Sequence, residues 1–166
     1  MSQLKVNSII PVGGVASGQA GGVIQTIQTF KGDTTTTNST SFGDLAGMSA
    51  TITPSSNSNK VLVRFTLHLS SDTSPVILVN LLRGSTNIAQ PTVTDTYNST
   101  LQLWIDEEKM VTQTYEFLDS PATTSSTTYK LQWRIHAGTS TVKLNGYFGN
   151  SNYHITSTMT LQEVSA

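Results

Sequence analysis

Apolar and polar residues alternate along most of the chain. In "KVLVRFTLHLS", Val61, Val63, Phe65, Leu67 and Leu69 fall on one side and Arg64, Thr66 and His68 on the other, with Leu62 as the exception. "TYKLQWRIHAG" repeats the pattern more cleanly, setting Tyr129, Leu131, Trp133 and Ile135 against Lys130, Gln132, Arg134 and His136. A period of two is what a half-buried antiparallel strand produces. "MVTQTYEFL" continues it with Val111, Tyr115 and Phe117, although Gln113 shares their side. "YHITSTMTLQEV" places Tyr153, Ile155, Ser157, Met159 and Leu161 together and predicts a last strand inside its sheet. "PVILVNLLRG" differs, being apolar on both sides, and reads as a central or interface strand.

Turn-forming clusters, not helix caps, separate these runs: "TPSSNSN" at 53–59, "SSDTSP" at 70–75, "LDSPATTSS" at 118–126 and "NGYFGNSN" at 145–152. No window of helical length carries a 3.6-residue period. The nearest candidate, "LWIDEEKM", is short and reads as a strand end turning through Asp106, Glu107 and Glu108. Eight to ten strands between Val23 and Val164 predict an all-β fold, an antiparallel jelly-roll sandwich of two four-stranded sheets. The domain boundary falls near Gly22, giving an N-terminal arm and spacer over 1–22 and a body over 23–166.

Composition narrows the function. Charged residues are 11% of the chain and the net charge is −1, too weak a field for nucleic acid, whose binding demands a basic excess. Threonine and serine instead supply 27 and 21 residues, a surface that is polar but hardly charged. Such a surface is poorly protected against self-association and suits a stable assembly. No cysteine is present, so disulfides and thiolate metal sites are excluded. No apolar stretch has the length of a membrane span, so no membrane partner is expected. Near the start, Lys5 precedes "SIIPVGGVA", but Pro11, Gly13 and Gly14 break the apolar region too early for a signal peptide.

Candidate chemistry is sparse. His68, His136 and His154 are isolated in sequence and lack metal-ligand spacing. Glu107 and Glu108 are adjacent and Glu116 and Asp119 three apart, so on strands neither pair converges as glycosidase carboxylates must. "GGVASGQAGG" lacks the Lys-Ser/Thr of a phosphate loop and reads as a flexible spacer. The expectation is therefore no catalytic residue, no metal, no cofactor and no enzyme activity. Among the aromatics, Trp133 belongs to a core face, and Trp104 to the core or a subunit interface. Tyr97, Tyr147 and Tyr153 sit beside asparagines on turns, as sugar-binding loops often do, and mark a candidate ligand loop for a host surface glycan.

The two ends carry a resemblance. "LKVNSIIPVGG", the stretch "SFGDLAGMSATITPSSNSNKVLV" and the closing "STMTLQEV" resemble small structural proteins of tailed bacteriophages of marine bacteria and cyanobacteria. The resemblance implies a virion location and a fibre-like or decoration role. It also implies a trimeric body similar in plan to jelly rolls of the tumour-necrosis-factor and C1q type. In that setting Leu4, Val6, Ile9 and Ile10 form an anchoring strand that adds to a sheet edge of a phage capsid or tail protein. Gly13, Gly14, Gly18, Gly21 and Gly22 form its spacer. A homotrimer would also bury the two-sided strand, with Val76, Leu78 and Leu81 at the subunit interface.

Overall fold

The period-two runs become strands. A computed structural model of the chain describes residues 22–93 and 95–166. Leu4, Val6, Ile9, Ile10, Gly13, Gly14, Gly18 and Gly21 lie outside the described residues. Eleven strands follow: β1 (Val23–Lys31), β2 (Thr35–Thr37), β3 (Gly43–Ile52), β4 (Lys60–Ser71), β5 (Val76–Arg83), β6 (Thr86–Asn87), β7 (Leu101–Trp104), β8 (Met110–Asp119), β9 (Thr127–Ile135), β10 (Val142–Leu144) and β11 (Ser157–Val164). All their ladders are antiparallel. No helix occurs among the described residues.

Three rows are interrupted strands. On one side of β4 lie both β11, opposite 60–66, and β10, opposite 69–71. Beyond these, β1 pairs with β11 and β2 with β10. On the free side of β5, β7 covers 76–79 and β6 covers 82–83. Each interrupted row taken as one strand gives eight, ordered 1-8-3-6 in the first sheet and 2-7-4-5 in the second. That is a jelly roll of two four-stranded sheets. The C-terminal strand lies inside its sheet, between β1 and β4, as the sequence leads one to expect.

The alternation places the core. Val61, Val63, Phe65, Leu67 and Leu69 are fully buried, and Tyr129, Leu131, Trp133 and Ile135 face them from the second sheet. Strand β5 resolves differently from the expected interface. Ile77, Val79 and Leu81 point into the core, so Leu81 cannot reach a neighbouring subunit. Leu78, on the opposite side, is also fully buried within the single chain, where Tyr97 of the 88–100 connection lines the same cleft. The two-sided apolar pattern thus has an explanation within one chain. Residues 153–156 belong to a loop, not to the last strand, which starts at Ser157; Tyr153 and Ile155 are exposed.

Both breaks in the first sheet meet at Asn145. Its φ of +62° turns the chain out of β10, and it is fully buried. Its Nδ2 donates to the carbonyls of Lys31 (2.8 Å) and Asp33 (3.2 Å), and its Oδ1 accepts from Ser157 Oγ (2.6 Å). One side chain therefore satisfies backbone groups that the interrupted ladders leave over.

The two open sides of the sandwich differ. Between β1 and β3, Thr29 Oγ1 donates to the Ser49 carbonyl and Gln25 Nε2 to that of Thr53. Gly47 there has φ +79°, and a Cβ on it would come within 2.6 Å of the buried Lys31 side chain. That seam is closed. Between β8 and β6/β7, the inward side chains Val111, Tyr115, Phe117, Ile88 and Leu101 are only half buried. The outer backbone edge of β8 pairs with no strand among the described residues.

Candidate functional site

The second sheet carries the site on its outer face. Register sets Trp104 beside Val76 and Gln102 beside Leu78, while the His136 amide donates to the Val76 carbonyl. Alternation then turns Gln102 and Trp104 outward and Leu101 and Leu103 toward the core. The 88–100 connection folds over this face and is pinned at several points. Gln90 Nε2 donates to Asn80 Oδ1 (3.0 Å), Gln102 Nε2 to the Tyr97 carbonyl (2.6 Å), and the Leu81 amide to Thr100 Oγ1 (2.8 Å). Asn98 Nδ2 closes the connection on itself by bonding the Val93 carbonyl.

These constraints leave an open cleft of about 410 Å3. Val76 and Leu78 line its apolar base. On one side stands Trp104, 74% exposed although it is the largest side-chain type. On the other, the Tyr97 ring meets the His136 imidazole edge to face, centroids 4.2 Å apart. No Asp, Glu, Lys or Arg side chain lines the cleft. Arg134, next in the sheet, is taken up elsewhere: it donates to the carbonyls of Thr40, Ile135 and His136 and lies 5.0 Å over the Phe42 ring.

The chemistry of this lining is that of binding. It offers aromatic faces, an aliphatic base and neutral polar tips, with no carboxylate beside a nucleophile. Among the described residues, no group of three His, Cys, Asp or Glu side chains could hold a metal ion. The histidines stay apart. His68 Nδ1 lies 2.8 Å from Thr112 Oγ1, with burial pushing its imidazole below the usual value. His154 is exposed and bridges Gly146. Glu116 pairs with Arg64, and Asp119 with Arg83 and the Tyr129 hydroxyl.

Of the expected ligand-loop residues, Tyr97 reaches the cleft. Tyr147 and Tyr153 meet each other at a tilt of 52°, centroids 6.1 Å apart, in the 145–156 loop of the first sheet, so the three tyrosines do not form one surface. Val76 and Leu78 belong to the cleft and Leu81 to the core. Gly22 closes the end of β1, donating to Ser165 Oγ and accepting from the Ser165 amide. Trp104, Gln102 and His136 are the residues the sequence reading did not assign to a site. Alternation puts Gln102 and Trp104 on one side of a strand, but their meeting with His136 depends on strand pairing.

No family model and no curated protein matches the chain. Among solved structures it is similar to a chain in the structure of infectious bursal disease virus, Gx strain, at 10% sequence identity and a TM-score of 0.47. The overlap covers 92% of this chain and 39% of that one, so this chain spans well under half of its length. The jelly-roll assignment rests on the strand order above.

Proposed function

We propose that the chain is a non-enzymatic structural protein of a phage virion. In this reading the jelly-roll body assembles as a homotrimer that decorates the head or forms a short head fibre. Leu4, Val6, Ile9 and Ile10 anchor it to a capsid protein through the glycine spacer. The resemblance of the chain's ends to phage structural proteins supports the virion part.

The observation that carries the assembly part is the difference between the two seams. A ten-residue strand edge that pairs with no strand among the described residues, beside half-buried Val111, Tyr115 and Phe117, is a liability in a free monomer. A partner along β8 would remove it. The sparse charge of the surface supports the same conclusion.

Electron microscopy of virions labelled with a specific antibody tests the location. Label over the head is the expected result. Label confined to the tail would replace decoration with the rival role, a tail-fibre or receptor-binding knob recognising host carbohydrate. Unlabelled virions would end the virion reading. Sedimentation equilibrium tests the assembly separately, with an expected mass of three 17.8 kDa chains.

A further inference from the structure

We propose that the cleft between Trp104 and the Tyr97–His136 pair binds a neutral pyranose ring, one C–H face laid against the Trp104 indole. A single exposed tryptophan needs no explanation by itself. Here it stands at the edge of a formed cleft whose volume falls in the small-ligand range of roughly 300–1,000 Å3. The polar groups point the same way. Within the described chain, no hydrogen bond uses the Tyr97 hydroxyl, the His136 ring nitrogens or the Trp104 indole N–H. An apolar ring face and a girdle of hydroxyls together need both kinds of surface, aromatic planes and uncommitted donors and acceptors.

Charge decides the ligand class. With no lysine or arginine in the lining and the Arg134 guanidinium already bonded to three carbonyls, an anionic sugar or a phosphate would find no fixed counter-charge. A purely aliphatic ligand would leave the polar tips unmatched. The base is pre-set, because Gln102 holds the Tyr97 backbone and Leu78 is fully packed, so little ordering is needed on binding. None of the lining residues is among the half-buried side chains of the β8 seam. The assignment holds for a body on the head or on the tail.

The two tryptophans make the test direct, since Trp133 is buried in the core and Trp104 is exposed. The full-length protein is titrated with the methyl glycosides of glucose, galactose, mannose and their N-acetylamino forms, alongside glucuronate and sialic acid. Tryptophan emission and its quenching by acrylamide are followed. Saturable protection of the exposed tryptophan by at least one neutral sugar is expected, with a Kd of about 1 mM. Because Trp104 is itself the reporter, binding to the variants is read from saturation transfer to the sugar protons by NMR: Trp104→Ala should abolish it, Trp104→Phe should retain part of it, and Tyr97→Ala should weaken it roughly tenfold. Unchanged Trp133 emission reports that each variant is folded.

The proposal is overturned by no neutral sugar protecting Trp104 at tens of millimolar, by acidic sugars binding in preference, or by Trp104→Ala binding as well as the parent. If Trp104→Ala instead converts an oligomer to monomers, a second copy covers the cleft and the sugar assignment fails. None of these results bears on where the antibody label falls on the virion.

Discussion

Glu163→Leu should cost the fold about 3 kcal/mol, read by urea unfolding at pH 7. Glu163 is fully buried near the end of β11 and has no cation partner among the described residues. Its Oε1 accepts from the Ser55 amide (2.7 Å), Ser55 Oγ (2.7 Å) and Asn59 Nδ2 (2.6 Å), and its Oε2 accepts from Gln25 Nε2 (2.6 Å). One carboxylate thus ties the last strand to β1 and to the 53–59 turn. Leucine fills similar space but leaves these donors facing hydrocarbon. Glu163→Gln should fall between, because its amide N–H would point at a donor. The pH dependence follows from the same bonds. Burial alone would raise this carboxyl, but the four donors outweigh it and hold it below its ordinary 4.5. A lowered folded-state pKa gives stability that is fully present above about pH 4.5 and is lost as pH falls through the folded value. The gap between the parent protein and Glu163→Gln should therefore shrink in acid. A constant gap down to roughly pH 3 would show that the carboxylate's charge contributes nothing.

Asn145→Asp should be at least as damaging, about 3–5 kcal/mol at pH 7, a penalty that also shrinks in acid, but because the variant recovers rather than because the parent weakens. The substitution keeps the shape, and aspartate tolerates a positive φ nearly as well as asparagine. It replaces the one donor that reaches two carbonyls, at 2.8 and 3.2 Å, with a negatively charged acceptor. A carboxyl in that position has its folded-state pKa raised. Its cost is therefore present at neutral pH and relieved as pH falls, when the proton restores a donor. Asn145→Gly separates the two demands on the residue: it keeps the left-handed backbone and loses the three side-chain bonds. It should lose less than Asn145→Asp. Equal losses would mean the side-chain bonds carry the whole effect and the buried charge none.

Much of the fold was legible because alternation is a local signal. Val61 to Leu69 and Tyr129 to Ile135 face the core as their period demands, and the eight-row count falls within the expected range. The misreadings arise where a non-local cover decides burial. Leu78 looks like an interface residue until residues 88–100, which have no period of their own, bring Tyr97 to the cleft it lines. Tyr153 and Ile155 continue the period of β11, yet Asn145 diverts the chain outward and Ile155 bonds back to it. The cleft was half legible. Tyr97 stood out by its turn context, whereas Trp104 and His136 lie 32 positions apart and meet through β5, which pairs with both of their strands.

The junction at Asn145 also bears on how long a molecule lasts. Asparagine followed by glycine, as in Asn145-Gly146, is the pair in which the next backbone nitrogen most easily attacks the side-chain amide, releasing ammonia and closing a cyclic imide that water then opens to an acid. In the native fold that amide is held by three hydrogen bonds, and the Gly146 carbonyl is tied to Ser70 Oγ. Reaching the attack geometry would require breaking these bonds. Each unfolding event breaks them, and the product is the very acid that the junction tolerates least. Time spent hot should convert recoverable protein into protein that no longer refolds. Peptide mapping should then find the amide-to-acid mass change at 145–146 concentrated in the fraction that failed to return.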